Sequence, residues 1–357
     1  MINIAKPIIE EEEINAVINV LKSGILAQGK NVQEFEENFA KYIGTKHAIA
    51  TSSGTTALQT TFLAHNIKEG DEVITTPFTF IATANSILSV GAKPVFVDIE
   101  KNTFNINPDL IQEKINKKTK AILSVSLFGL TPNMDKICKI TNDNNLILIE
   151  DNAQAHGAEF KNKKAGSFGT GCFSFYPTKN MTTGEGGIIT TNDDEIAGKS
   201  RMIISHGSKI RYQHETFGLN FRMTNIAAAI GNEQLKKLEI FNKKRIENAD
   251  YLINNLKNTN IILPSVPQNH KHVFHQFTIM VNNRDEILKK LHEKEIRADI
   301  FYPKPVFEQP FYKNQDYNGD DLKISSEVSK KVISLPIHPS LTKEDLDYII
   351  KTLKEII

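Results

Sequence analysis

Apolar residues recur along this chain with two spacings. In "EEEEINAVINVLKSG" (10–24), Ile14, Val17, Ile18 and Leu21 follow helical spacing, with acids ahead, Lys22 near the end and Gly24 just past it. Those are the charges and the stop that a helix dipole favours, so the segment predicts a helix. A second helix follows in "VQEFEENFAKYIG" (32–44). From there short β-branched runs alternate with helical stretches: "HAIATSS" then "GTTALQTTFLAHN", "DEVITT" then "FIATANSILSVG", then "KPVFVDI", "KAILSVS", "MDKICKITNDNN" and "LILIED". Such alternation predicts strand–helix–strand crossovers and a mostly parallel sheet covered on both faces, the α/β class. Near residue 235 the pattern changes to a long charged helix, "NEQLKKLEIFNKKRIENADYLINNL", which reads as a bridge. Beyond it a Pro-punctuated stretch, the strand "QFTIMV", the amphipathic "DEILKKLHEKEI" and the closing helix "LTKEDLDYIIKTLKEI" suffice for a smaller α+β domain. The expected division is a large α/β domain over 1–235, with its N-terminal segment free to pack on the smaller domain, and a bridging helix plus small domain over 236–357.

Composition narrows the function classes. The 357 residues are enough for two domains with substantial cores. Lys+Arg 43 against Asp+Glu 42 leaves a net charge of +1, without the one-signed field of a nucleic-acid binder. Neither a nucleic-acid nor a membrane partner is expected, because no apolar run approaches a membrane span and Glu10 to Glu13 interrupt any signal-peptide core. Cys138 and Cys172 stand far apart with no zinc spacing, and read as reduced thiols of a cytoplasmic protein.

In a parallel sheet, ligands sit at the carboxyl ends of strands, so the residues just after each strand carry the candidate chemistry. After "HAIA" come Thr51-Ser52-Ser53-Gly54-Thr55-Thr56, opening a helix whose free N–H groups suit a phosphate; an ordinary capped helix has the same residues. After "LILI" come Glu150, Asp151, Asn152, Ala153 and Gln154, and a carboxylate delivered at the end of a buried strand is capped, paired or used. Lys179 follows the strand "CFSFYP" and precedes Gly184-Glu185-Gly186-Gly187, a tight turn allowing close backbone approach. A lysine among apolar neighbours loses its charge to desolvation, and its free amine is then a nucleophile for an aldehyde. Phosphate cradle, buried aspartate and lysine together match the needs of pyridoxal 5'-phosphate (PLP).

These segments, above all "EDNAQAHGA" and "SFYPTKNMTTGEGG", resemble the DegT/DnrJ/EryC1/StrS family of PLP-dependent sugar aminotransferases, from "GKNVQEFEENFAKYIGTKHAIATSSGTTAL" to "SLPIHPSLTKEDL". The resemblance implies a fold-type-I PLP transferase with a seven-stranded-type sheet. It implies Lys179 as the Schiff-base lysine, Asp151 on the pyridine nitrogen, Gln154 near the phenolic oxygen, and Gly54, Thr55 and Ser174 at the phosphate. Phe80 would stack on the ring face, the bland alternative being a core phenylalanine. "FGLNFRMTNIAAAIG" resembles the segment that crosses a dimer interface, which implies a homodimer with Asn220 reaching the partner's phosphate site. Arg222 would lie near the phosphate or the donor's carboxylate, or simply fix a loop. The implied reaction moves an amino group from L-glutamate, or L-glutamine, to a keto-sugar on a nucleotide diphosphate by ping-pong transamination.

Lys179 argues against the dehydrase branch that replaces this lysine with histidine. Asn152 stands where alanine is usual and Ser126 where histidine is common, so both are candidates for tuning the acceptor pocket. In "FYPKPVFEQPFY" Phe301 and Phe307 replace frequent histidines, while Tyr302 is retained as a sugar contact. The Tyr-Pro-x-Pro form leans toward amination at the sugar's third carbon. A keto-inositol aminotransferase and a noncatalytic PLP-bearing regulator remain as alternatives. "GSFGTG" lacks the strand–helix setting of a nicotinamide fingerprint, and His270, His272 and His275 lack an acidic or cysteine partner for a metal, so no metal is expected.

Overall fold

The structure, a computed structural model, describes residues 1–315, Tyr317 and 319–357. Its main sheet has seven strands: β1 (His47–Thr51), β2 (Glu72–Thr75), β3 (Lys93–Phe96), β4 (Thr119–Val125), β5 (Ile147–Asp151), β6 (Thr170–Ser174) and β7 (Gly187–Thr191). Their spatial order is β1-β7-β6-β5-β4-β2-β3. Only β7 runs against its neighbours, pairing antiparallel with β1 and β6 while the other pairs are parallel. The carboxyl ends of six strands therefore line one edge of the sheet, joined there by the amino end of β7.

Strand periodicity distributes side chains between two covered faces. Ile49, Val73, Leu123 and Ile149 pack on one face with Ala57, Leu58 and Phe62 of the helix Gly54–Ala64. Their neighbours Ala48, Ala50, Ile74 and Ile122 join cores on the other face with Phe35 and Phe39 of the helix Lys30–Ile43 or Met134 and Ile137 of the helix Met134–Asp143. Burial on both faces explains why these strands read as nearly continuous apolar runs.

The long helix begins earlier than its charge pattern indicated. It spans Asn225–Leu256, 32 residues, with the Thr224 side chain accepting a hydrogen bond from the Ala227 N–H as its cap. "IAAAIG" has no charged face to mark it as helical, and Gly231 looks like a stop. A Cβ at Gly231 would lie 2.9 Å from the Phe35 ring and from Thr183 Cγ2, so this glycine lets the helix approach Lys30–Ile43 closely.

The distal half of that helix enters a second core. There β8 (Phe277–Met280) and β9 (Val332–Leu335) pair antiparallel, and Leu252, Leu256, Phe277, Ile279, Leu291, Ile333, Leu335, Ile349 and Leu353 pack together. The N-terminal segment joins this core through Ile2, whose N–H donates to the Glu295 carbonyl at 2.8 Å. Among the described residues no helix is long and apolar enough to cross a membrane.

Candidate active site

The ends of β1, β2, β4, β5 and β6 surround a cavity of ≈ 520 Å³. Each wall is set by local chemistry. At the end of β1, the Ser53 side chain accepts from the Thr56 N–H at 3.1 Å while Thr56 Oγ1 accepts from the Ser53 N–H at 2.9 Å. This capping box leaves the N–H groups of Gly54 and Thr55, both lining the cavity, pointing ahead of an 11-residue helix. A Cβ on Gly54 would lie 2.6 Å from Ser174 Cβ, so only glycine brings this helix start against the end of β6.

At the end of β5 two consecutive carboxylates have different fates because alternate strand residues face opposite ways. Glu150 accepts from the N–H groups of Gly166, Phe168 and Gly169 at 2.8, 2.8 and 2.9 Å and holds that loop. Asp151 lines the cavity, where Thr83 Oγ1 donates to its Oδ2 at 2.7 Å and the Ala153 N–H to its Oδ1 at 3.2 Å. Thr79 Oγ1 lies 2.9 Å from Thr83 Oγ1 and extends the chain. Burial pushes the Asp151 pKa up, while Thr83, Ala153 and the Lys179 charge favour the carboxylate.

Lys179 is half-buried on the opposite wall, in a turn closed by its own N–H donating to the Tyr176 carbonyl at 2.9 Å. Among the described residues no carboxylate lies within ion-pair distance of it. Desolvation draws its pKa down to about 8, with the charge of Asp151 pulling the other way. Gln154 is fixed at both ends of its amide: Oε1 accepts from the Phe128 N–H at 2.8 Å and Nε2 donates to the Tyr302 hydroxyl at 2.9 Å. Phe80 lines the mouth with 56% of its surface exposed, which decides against a core phenylalanine.

The structure thus brings together Gly54, Thr55, Phe80, Asp151, Gln154, Ser174, Lys179 and Tyr302. It does not bring in Asn220 or Arg222: Asn220 is exposed and bridges Ser205, and Arg222 Nη1 donates to Ser205 Oγ at 3.2 Å. Ser126 and Asn152 do not line the pocket they were expected to tune. They bond each other, Ser126 Oγ donating to Asn152 Oδ1 at 2.7 Å in a buried position behind the wall. Phe301 lines the cavity, but Phe307 packs with Phe96, Tyr312 and Leu322. The three histidines do not converge. His270 meets the Phe160 ring edge-on, His272 stacks on Phe274 at 3.9 Å, and His275 lines the cavity.

Thr79, Thr83, Tyr176 and Gln276 are cavity residues that sequence reasoning passed over, Glu185 was read only as part of a turn, and His275 was weighed only as a metal ligand. The two threonines carry a signal in retrospect. At spacing i, i+4 they share one side of the turn entering the helix Ala82–Leu88.

A flat phosphorylated aldehyde fits these residues: free helix N–H groups and a serine for the phosphate, an aspartate for a ring nitrogen, an amine for the aldehyde and an exposed aromatic face. The model of the DegT/DnrJ/EryC1/StrS aminotransferase family matches residues 7–354. The chain belongs to this family. The GDP-perosamine synthase of Caulobacter vibrioides is 37% identical over 368 residues, covering 100% of this chain and 98% of its own. The dTDP-3-amino-3,6-dideoxy-alpha-D-galactopyranose transaminase of Aneurinibacillus thermoaerophilus is 38% identical, covering 96% and 95%. Among solved structures, Helicobacter pylori PseC, an aminotransferase involved in the biosynthesis of pseudoaminic acid, matches with a TM-score of 0.93 at 33% identity over 99% of this chain and 98% of its own. The protein is accordingly a PLP-dependent sugar aminotransferase with the fold-type-I architecture, and the noncatalytic reading is set aside.

Proposed function

We propose that this aminotransferase moves the amino group of L-glutamate onto a keto-sugar carried by a nucleotide diphosphate, in two half-reactions that share one lysine. The observation that carries the reading is the pairing of a half-buried Lys179, its pKa drawn down by desolvation, with a hydrogen-bonded Asp151 across one cavity. The nucleotide-sugar products in the names of both curated relatives support the acceptor class over a keto-inositol.

Bound PLP supplies an aldehyde that holds an amine and a ring that accepts the electron pair left when a C–H proton departs. Gly54, Thr55 and Ser174 would hold its phosphate, Phe80 would cover one face and Gln154 would meet the phenolic oxygen. Asp151 would keep the ring nitrogen protonated: a buried carboxylate is costly unless a cation faces it, and the Thr83 bond helps hold it ionised. Lys179 would hold the cofactor between turnovers. Freed by the donor, its amine would take the proton from the donor's α-carbon and deliver it to the cofactor carbon on the far side of the shared nitrogen, because a pKa near 8 lets it act as base and then as acid near neutrality. The donor product, 2-oxoglutarate, leaves before the keto-sugar enters, since one cavity serves both.

Tyr302, at the cavity with its hydroxyl held by Gln154, is placed to meet the sugar. The Tyr302-Pro303-Lys304-Pro305 segment and the 3-amino product named for the Aneurinibacillus relative support amination at carbon 3. Asn220 and Arg222, outside their own chain's cavity, complete the site of a partner subunit in a homodimer.

The test is an absorption spectrum of PLP-reconstituted protein before and after L-glutamate, with L-glutamine in parallel and Lys179→Ala beside it. A yellow band that bleaches in wild type alone, followed by recovery on adding a keto-sugar nucleotide, is expected. A wild-type spectrum indifferent to both donors would sink the proposal.

A further inference from the structure

Behind the lysine turn lies a second, much smaller cavity of ≈ 20 Å³, the space of about one water molecule or one halide ion. Lys6, Lys179 and Arg245 line it, along with Thr178, Asn180, Thr182, Gln234 and apolar residues, and no carboxylate does. Its cations have no partner there. Arg245 is 5% exposed, yet its guanidinium meets only backbone: Nη1 donates to the carbonyls of Phe274 and His275 at 3.2 and 3.3 Å, and Nε has no acceptor. Among the described residues Arg245, Lys6 and Lys179 form no ion pair.

The surrounding groups do not supply the missing negative charge. Gln234 is spent, its Nε2 donating to Ile8 O and Glu13 Oε1 at 2.8 Å and its Oε1 accepting from the Thr182 N–H at 3.3 Å. Asn180 donates to Asn242 and Val273 O. Glu13, the nearest acid through Gln234, is already bound by Lys237 and by the Glu10 N–H. The neighbouring histidines His156, His275 and His338 are held neutral by burial and by the Arg245 charge, so they add no anion and demand none. Burying a guanidinium without a counter-charge is costly, and native proteins avoid it by pairing the group.

We propose that this cavity binds a small monovalent anion of chloride size, held by the Arg245 guanidinium with Lys6 as a further cationic wall. With Lys6 exposed and Lys179 taken by the cofactor, the one buried guanidinium compensates a single negative charge, which favours a monovalent ion over a divalent one. The anion ties together three segments that otherwise meet only through neutral contacts at this point: residues 5–8, the turn 177–182 and the helix Asn225–Leu256.

The deciding experiment is diffraction from crystals of the PLP-loaded protein grown with bromide replacing chloride, so that the cofactor's phosphate fills its own cradle. An anomalous peak within hydrogen-bonding distance of Arg245 is expected. A water molecule there, without anomalous signal, overturns the proposal. In solution, the melting temperature of the PLP-loaded protein rises saturably with chloride against gluconate at fixed ionic strength. Arg245→Gln abolishes that dependence. Should Arg245→Gln fail to fold, Lys6→Ala, a change at an exposed side chain, still reports by weakening the apparent affinity roughly three- to tenfold. Identical melting in both salts would also count against the site.

Discussion

Around β8 and β9 each inward position carries an apolar side chain, so Phe277, Ile279, Ile333 and Leu335 are fully enclosed by Leu252, Leu291 and Leu353 from three helices. At the ends of β4, β5 and β6 the same strand logic delivers Val125, Asp151 and Ser174 to the cavity, with Lys179 facing them. The second core gains stability from area removed from water, about 25 cal/mol per Å². The cavity wall instead holds a carboxylate raised in pKa and a lysine lowered, both disfavoured by burial until a ligand completes them. Stability and chemistry are therefore concentrated in different regions, and substitutions should separate them.

The strongest separation is expected at Lys179. Lys179→Ala lowers transamination by about 10⁴-fold or more while the protein melts within a few degrees of wild type; a large loss of stability would break the contrast. Phe277→Ala is the mirror case. It removes about 3–5 kcal/mol of stability, read from denaturant unfolding, and leaves the donor-induced spectral change of the folded protein intact. Asp151→Asn follows, with a fall of about 10²–10³-fold in turnover, because the neutral amide no longer supports a protonated ring nitrogen. Thr83→Val costs roughly tenfold and raises the pH below which activity is lost, since the Asp151 carboxylate gives up a donor. Activity unchanged in Thr83→Val would show that the Thr79–Thr83–Asp151 chain only packs the wall.

The smallest effect is in pH dependence. In the cofactor-free protein Lys179 has a folded pKa of about 8, against 10.5 for the free side chain. The unfolded chain binds more protons between those values, so stability rises with pH from about 8 to about 10.5 and the penalty is fully present below about 8. Thermal melts of the cofactor-free protein should show that rise, and Lys179→Met should flatten it.

The cavity residues legible in the sequence are those within a few residues of a strand end. Asp151, Lys179, Gly54 and Ser174 are of this kind, because a parallel sheet places its strand ends together whatever the loops do. Thr83 was not legible, since its partner Asp151 lies far along the chain and threonine in a helix entry is ordinary. His275 was read with His270 and His272, although neighbouring residues at the start of a strand point in different directions. Ser126 and Asn152 sit next to site residues in sequence but bond each other behind the wall. The start of the long helix was obscured by alanines and a glycine selected for close packing rather than for amphipathic pattern.

The reversed strand β7 has a consequence for when the enzyme becomes competent during synthesis. It joins β1 to β6, with Thr51 opposite Gly187, and a Cβ at Gly187 would strike the Ser53 carbonyl at the start of the helix Gly54–Ala64. The two halves of the proposed phosphate cradle are thus fastened by a strand made long after the first of them, and the distant pairing must wait for it. A nascent chain stalled on the ribosome before β7 emerges should fail to retain the cofactor, however complete its earlier motifs.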